Sequence, residues 1–149
     1  MSGSLFDTNV WLAAVFKKHD FHGIARKALE QSSATNPAVF CRSTQQSFLR
    51  LASTRALLKT YDADGMSNRD AIVAYEQLQA QPHVTMREEP TGLQALWLQL
   101  AGLDTASPKV WMDAYLAAFA IRGKLRLVTL DQDFKNFVSQ GLHLSLLAP

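Results

Sequence analysis

What this chain has little of narrows its class before any motif is read. It carries one cysteine, Cys41, in 149 residues, so no internal disulfide can form and the chain suits a reducing compartment. No apolar run is long enough to cross a bilayer, and no charged, apolar and small-residue leader precedes residue 5. A cytoplasmic location without a membrane partner is expected. No Cys/His cluster has zinc spacing, and no repeat or low-complexity linker interrupts the chain. Charge is sparse too: 19% of residues are charged, for a net +2. That balance permits a nucleic-acid partner without arguing for one. The remaining 48% hydrophobic content is ample for one core at this length, so residues 1–149 read as a single domain.

Periodicity supplies the elements. Leu5–Phe6, PAVFC (37–41), HVTM (83–86), LRLVTL (125–130) and HLSLL (143–147) have strand character. Between them lie helical patterns from Val10 to Lys17, over 20–31, from about Ser43 to Ser53, over 67–80, 92–103 and 108–121, and a short one over 132–138. Ser67 and Asp70 have the spacing of a capping box. Strands alternating with helices imply an α/β fold whose parallel sheet is covered on both faces.

Such sheets gather their functional groups outside the carboxyl ends of the strands, near the point where strand order reverses. Three acids fall there. Asp7 ends the first strand, Asp131 follows LRLVTL, and Asp113 lies one turn into the helix after Pro108. Taken singly, Asp7 and Asp131 read first as helix caps, since a carboxylate there accepts from orphan amides and complements the helix dipole. Asp113 resists that reading. In KVWMDAYLAAFAI it is surrounded by core-like residues, where a carboxylate costs desolvation unless it is paired or holds a cation.

Three carboxylates meeting at one sheet edge repel one another, and a divalent cation reverses that. Hard oxygen donors suit Mg²⁺ or Mn²⁺, which activate water and stabilise charge during attack on a phosphodiester. Thr8, Asn9 and Thr129 are short polar side chains able to orient a carboxylate or a bound water, or to serve as turn and cap residues.

The order of LFDTNVWLAA, STQQSFLRLAS and MDAYLAAFAIRGKLRLVTLDQDF, followed by a last hydrophobic strand, resembles the PIN-domain ribonucleases of the VapC toxin type from Leu5 to about Leu147. The resemblance implies a three-layer α/β/α PIN-like fold with a mainly parallel sheet of four or five strands. It also implies an Mg²⁺- or Mn²⁺-dependent endoribonuclease, the toxin component of a VapBC-type toxin–antitoxin module. Asp7, Asp113 and Asp131 fall on the family's metal-holding acids, and Asn9 and Thr129 on its supporting polar positions. Asp133 lies beyond the motif acid and is read as capping the short helix. Where many relatives carry Glu in the helix after the second strand, this chain has Gln45, which brings an amide oxygen but no charge. That departure keeps a second reading open, a catalytically weak or inactive PIN domain acting as an RNA-binding or protein-interaction module.

Arg42, Arg50 and Lys124 are candidate RNA contacts, with solvated surface charge as the plain alternative. The resemblance further implies a VapB-type antitoxin that blocks the acidic site, and a homodimer. Trp11, Phe16 and Phe48 are expected to line an apolar groove for the antitoxin. Trp11, Trp97 and Trp111 are expected in the core or an interface. A dehalogenase-like phosphatase also begins with an Asp after its first strand, but needs a second Asp where this chain has Asn9.

Overall fold

A computed structural model describes residues 1–60 and 66–147; the segments 61–65 and 148–149, which the one-domain reading also spans, lie outside the described residues. The elements run β1 (Ser4–Phe6), α1 (Thr8–Val15), α2 (His22–Glu30), β2 (Ala38–Phe40), α3 (Arg42–Ala52), α4 (Arg55–Thr60), α5 (Asn68–Gln79), β3 (Val84–Met86), α6 (Leu93–Ala101), α7 (Val110–Arg122), β4 (Arg126–Thr129), a 3₁₀ helix (Gln132–Gln140) and β5 (Leu144–Leu146). Each predicted strand and helix is present with shifted ends. Helix α4 had no counterpart in the sequence reading.

All strand pairs are parallel, in the order β3-β2-β1-β4-β5. The order reverses at β1, whose neighbours are β2 and β4. Side chains alternate across the sheet, as the period of two requires. Leu5, Val39 and Leu127 face α6, α7 and the 3₁₀ helix in one buried cluster. Phe6, Phe40 and Val128 face α1, α2, α3 and α5 in the other. The result is the expected three-layer α/β/α arrangement.

Helix α1 is apolar around its whole circumference. Val10 to Ala14 are all buried, because α1 lies against the sheet on one side and against α2 and α3 on the others. Trp11 stacks on Phe40 with ring centroids 3.9 Å apart, and Phe48 meets Phe40 edge-on. The expected antitoxin groove is therefore corrected: Trp11, Phe16 and Phe48 are inside the core, at 0%, 5% and 0% exposure, and cannot line an open surface. Of the three tryptophans expected in the core or an interface, Trp11 is in the core and Trp97 packs partly buried against it, while Trp111 is 48% exposed and so outside the core.

Two local devices set the position of the acids. Asp7 follows β1 directly and caps α1, its Oδ1 accepting from the Thr8 amide at 2.7 Å, so strand, acid and helix succeed one another without a linker. Helix α7 precedes β4 and runs back across the sheet to reach it. The first turn of α7, which carries Asp113, is thereby brought to the carboxyl edge.

Candidate active site

Asp7, Asp113 and Asp131 meet at the carboxyl edge, beside the order reversal between β1 and β4. Their arrangement rests on Thr129, the last residue of β4, which is fully buried. Its Oγ1 donates to Asp7 Oδ2 at 2.7 Å and accepts from the Asp131 amide at 3.0 Å and from Asn9 Nδ2 at 3.5 Å. Asn9 Oδ1 in turn accepts from the Leu130 amide at 3.3 Å. One hydroxyl thus ties the first acid to the backbone of the third, and Asn9 closes the bracket from α1. Thr8 contributes its backbone N–H to Asp7.

Asp7 and Asp131 are both helix caps, as their positions allowed, and both stand in the acidic cluster. Asp131 caps the 3₁₀ helix, its Oδ1 accepting from the Asp133 amide at 2.9 Å, while Oδ2 lies 3.5 Å from Lys109 Nζ. Asp133 is a correction. It does not cap the helix but sits in its first turn, and its side chain is bonded by Lys109. Carboxylate oxygens of Asp113, Asp131 and Asp133 lie within 4.8 Å of one another.

This crowding is electrostatically costly. Burial pushes the Asp113 carboxyl up from 3.8 to about 6; Lys109 opposes the rise, and the charges of Asp131, Asp7 and Asp133 add to it. Burial also raises Asp7 above the ordinary carboxylate range, against the hydrogen bonds from Thr129 and Thr8 that favour its ionised form. Lys109 is held charged by its bond to Asp133. A cluster of four carboxylates relieved by one ammonium is a donor set of hard oxygens with spare negative charge, which fits Mg²⁺ or Mn²⁺. Among the described residues, Asp113, Asp131 and Asp133 are the set whose carboxylate oxygens lie close enough together to share such an ion, with Asp7 beside them.

Lys109 and Asp133 were missed as members of this cluster. The signals were present: Lys109 lies four residues before Asp113, one helical turn away, and Asp133 two residues after Asp131.

The other candidates are more scattered. Gln45 lies in the first turn of α3, which begins just beyond the carboxyl end of β2, and its Oε1 accepts from Arg42 Nη1 at 2.6 Å. Among the described residues no hydrogen bond joins it to the three acids. Arg42 is exposed at that same end of α3. Arg50 lies in the last turn of α3, on the far side of the helix length. Lys124 precedes β4 and is at the opposite, amino edge, where its carbonyl accepts from the Ser2 amide at 3.0 Å. Cys41 is buried just beyond β2, as expected, and forms a capping box with Thr44.

The profile of the PIN domain matches residues 4–138. The chain is 42% identical over 145 residues to Ribonuclease VapC41 of Mycobacterium tuberculosis, covering 97% of this chain and 98% of that one. It is 32% identical over 137 residues to Ribonuclease VapC31 of the same organism, covering 91% and 93%. Two solved structures share its fold. VapC20 of M. tuberculosis, described as a sarcin-ricin loop cleaving toxin, superposes with TM-score 0.62 at 16% identity over 94% of this chain and 96% of that one. VapBC-1 of nontypeable Haemophilus influenzae does so with TM-score 0.63 at 14% identity over 97% of both.

Proposed function

The chain belongs to the PIN-domain family, and from that premise we propose that it is a metal-dependent endoribonuclease acting as the toxin of a VapBC-type toxin–antitoxin pair. In this reading residues 1–149 work as one nuclease domain in the cytoplasm, as a homodimer, until a VapB-type antitoxin silences it. The observation that carries the proposal is the convergence of Asp7, Asp113 and Asp131 in a chain so similar to proteins named as VapC ribonucleases.

Asp7, Asp113 and Asp131 would hold Mg²⁺ or Mn²⁺. When bound, the ion supplies a water of lowered pKa and a positive charge for the phosphodiester. The rest is done by the chain. Thr129 and Asn9 fix the Asp7 carboxylate, so its free lone pairs point in one direction. Lys109 offers an ammonium beside the acids for a phosphate oxygen. Arg42, at the start of α3, is a further exposed cation just beyond the carboxyl end of β2.

The test is to incubate purified protein with structured RNAs and Mg²⁺ or Mn²⁺ beside Asp7→Asn and Asp113→Asn. Cleavage by the parent that disappears in both variants is the expected result. Equal cleavage in all three would overturn the assignment of the acids. One observation favours the second reading, a silent RNA-binding or protein-interaction module: Gln45 adds no charge, and its oxygen is taken by Arg42. RNA binding without cleavage under either metal would establish it.

A further inference from the structure

A cavity of about 570 Å³ opens directly off the acid cluster. Lys109, Asp113 and Asp133 line it, and among the described residues no other charged residue does. The rest of its lining is of different chemistry. Leu100, Val110 and Phe137 give apolar surface, and Gln99 from α6 and Asn136 and Gln140 from the 3₁₀ helix give three amides. Among the described residues these amide side chains bond to no other protein group.

A carboxylate only accepts and an ammonium only donates, whereas each amide does both. Apolar walls with a few convergent amides therefore suit a neutral, flat ligand whose edge mixes donors and acceptors. An unpaired nucleobase has that character, and single-stranded RNA is read in this way, by apolar contact with the base plane and hydrogen bonds to its edge. The volume lies within the range of roughly 300–1,000 Å³ that small-ligand sites occupy, enough for one nucleotide. Asp113 and Asp133 belong to both the acid cluster and the cavity lining, which sets such a base next to a phosphate at the acids.

We propose that this cavity is a nucleobase subsite, in which Gln99, Asn136 and Gln140 read the base next to the phosphodiester that is cut. The proposal rests on the RNA-cleaving reading given above. It adds a specific cause of sequence preference, seated on α6 and on the same 3₁₀ helix that carries Asp133.

The test separates the two. Fluorescence anisotropy measures binding of labelled single-stranded octamers of A, C or U to Asp7→Asn protein. One octamer binds about tenfold tighter than the others, as a paired amide and base edge allow. Asn136→Leu with Gln140→Leu erases that preference, while Gln132→Leu, an exposed amide of the same helix outside the cavity, keeps it. The double variant also shifts the base found at the ends of the fragments released by otherwise unaltered protein. Equal binding of all octamers, no RNA binding, or a preference that survives the double change would overturn the subsite. If the preference is present and erased but no RNA is ever cut, the subsite stands and the nuclease reading falls. Asn136 and Gln140 are exposed, so both substitutions leave the core intact.

Discussion

At the carboxyl edge of the sheet stand Asp7, Asp113, Asp131 and Asp133, with Lys109 among them. At the amino edge stand Lys124 and Arg126, with Arg122 at the end of α7 and the guanidinium of Arg87, which reaches from just beyond β3 to donate to the Ser2 carbonyl at 2.6 Å. The strands between are only three or four residues long, about 10–13 Å at 3.3 Å per residue. The two edges differ in construction as well as sign. Asp7, Asp113 and Asp131 are half-buried, and Thr129 ties Asp7 to the backbone of Asp131, while Arg122, Lys124 and Arg126 are exposed. Opposite charges this far apart contribute little to each other at physiological salt, where screening acts over about 8 Å. Overall net charge therefore says little about either edge. What a charge does here depends on whether it is packed.

The largest effect is expected where the packed charges are removed. Asp113→Asn and Asp7→Asn should each lower RNA cleavage by more than about a hundredfold, since losing even an outer partner of a metal ligand typically costs 10–100-fold. Asp7→Asn should also melt at higher temperature than the parent in metal-free buffer at pH 8, by differential scanning calorimetry. Its ionised parent carboxylate is destabilised by burial. A lower melting temperature would mean that the Thr129 and Thr8 bonds outweigh that burial. Thr129→Val, which keeps the shape but removes the hydroxyl, comes next: a loss of about 10–100-fold in cleavage or Mn²⁺ affinity is expected.

Protonation gives a smaller and graded effect. The folded pKa of Asp113, about 6, lies above its ordinary 3.8. The folded protein thus holds that proton more tightly than the unfolded chain. This contribution to stability is complete below pH 4 and is lost as pH rises through about 6. Metal binding needs the ionised form, so Mn²⁺ affinity by calorimetric titration should fall about tenfold from pH 7 to pH 5. Lys109→Met, which removes the internal cation competing for Asp131, should raise that affinity severalfold at pH 7. An unchanged affinity would show that the ammonium leaves the site without cost. The smallest effect belongs to the other edge: Arg126→Gln should change cleavage less than about twofold, and a larger loss would show that RNA reaches the amino edge.

Those contrasts also explain what could be read from sequence. The strands were legible because β-branched and aromatic residues cluster there, and the acids because each stands at a strand end or interrupts an apolar helix. The groove expectation failed at Trp11, Phe16 and Phe48 because side-chain type does not say how many neighbours a helix has. The absence of any charge in TNVWLAAV did carry that information, since a helix without a polar face is enclosed. Lys109 was overlooked for the opposite reason. A lysine near a helix start reads as solvated charge until the fold delivers three carboxylates to it from other segments. Helix α4 is short, six residues, with too few turns for a periodic signal.

The 3₁₀ helix has a repeat of three, so residues three apart eclipse one another along it. Asp133, Asn136 and Ser139 form one row; Phe134, Phe137 and Gln140 form the next. Inserting or deleting one residue there would turn everything beyond it by about a third of a circle. Such a change near its start would unseat the buried Phe134 and Phe137 and sweep Asn136 and Gln140 away from the cavity together. Diversity in length is thus barred from this segment, and new RNA preferences should arise there by exchange of side chains alone. The connection from 102 to 109, largely exposed, is free to change in length and can reshape the mouth of the cavity without disturbing that register.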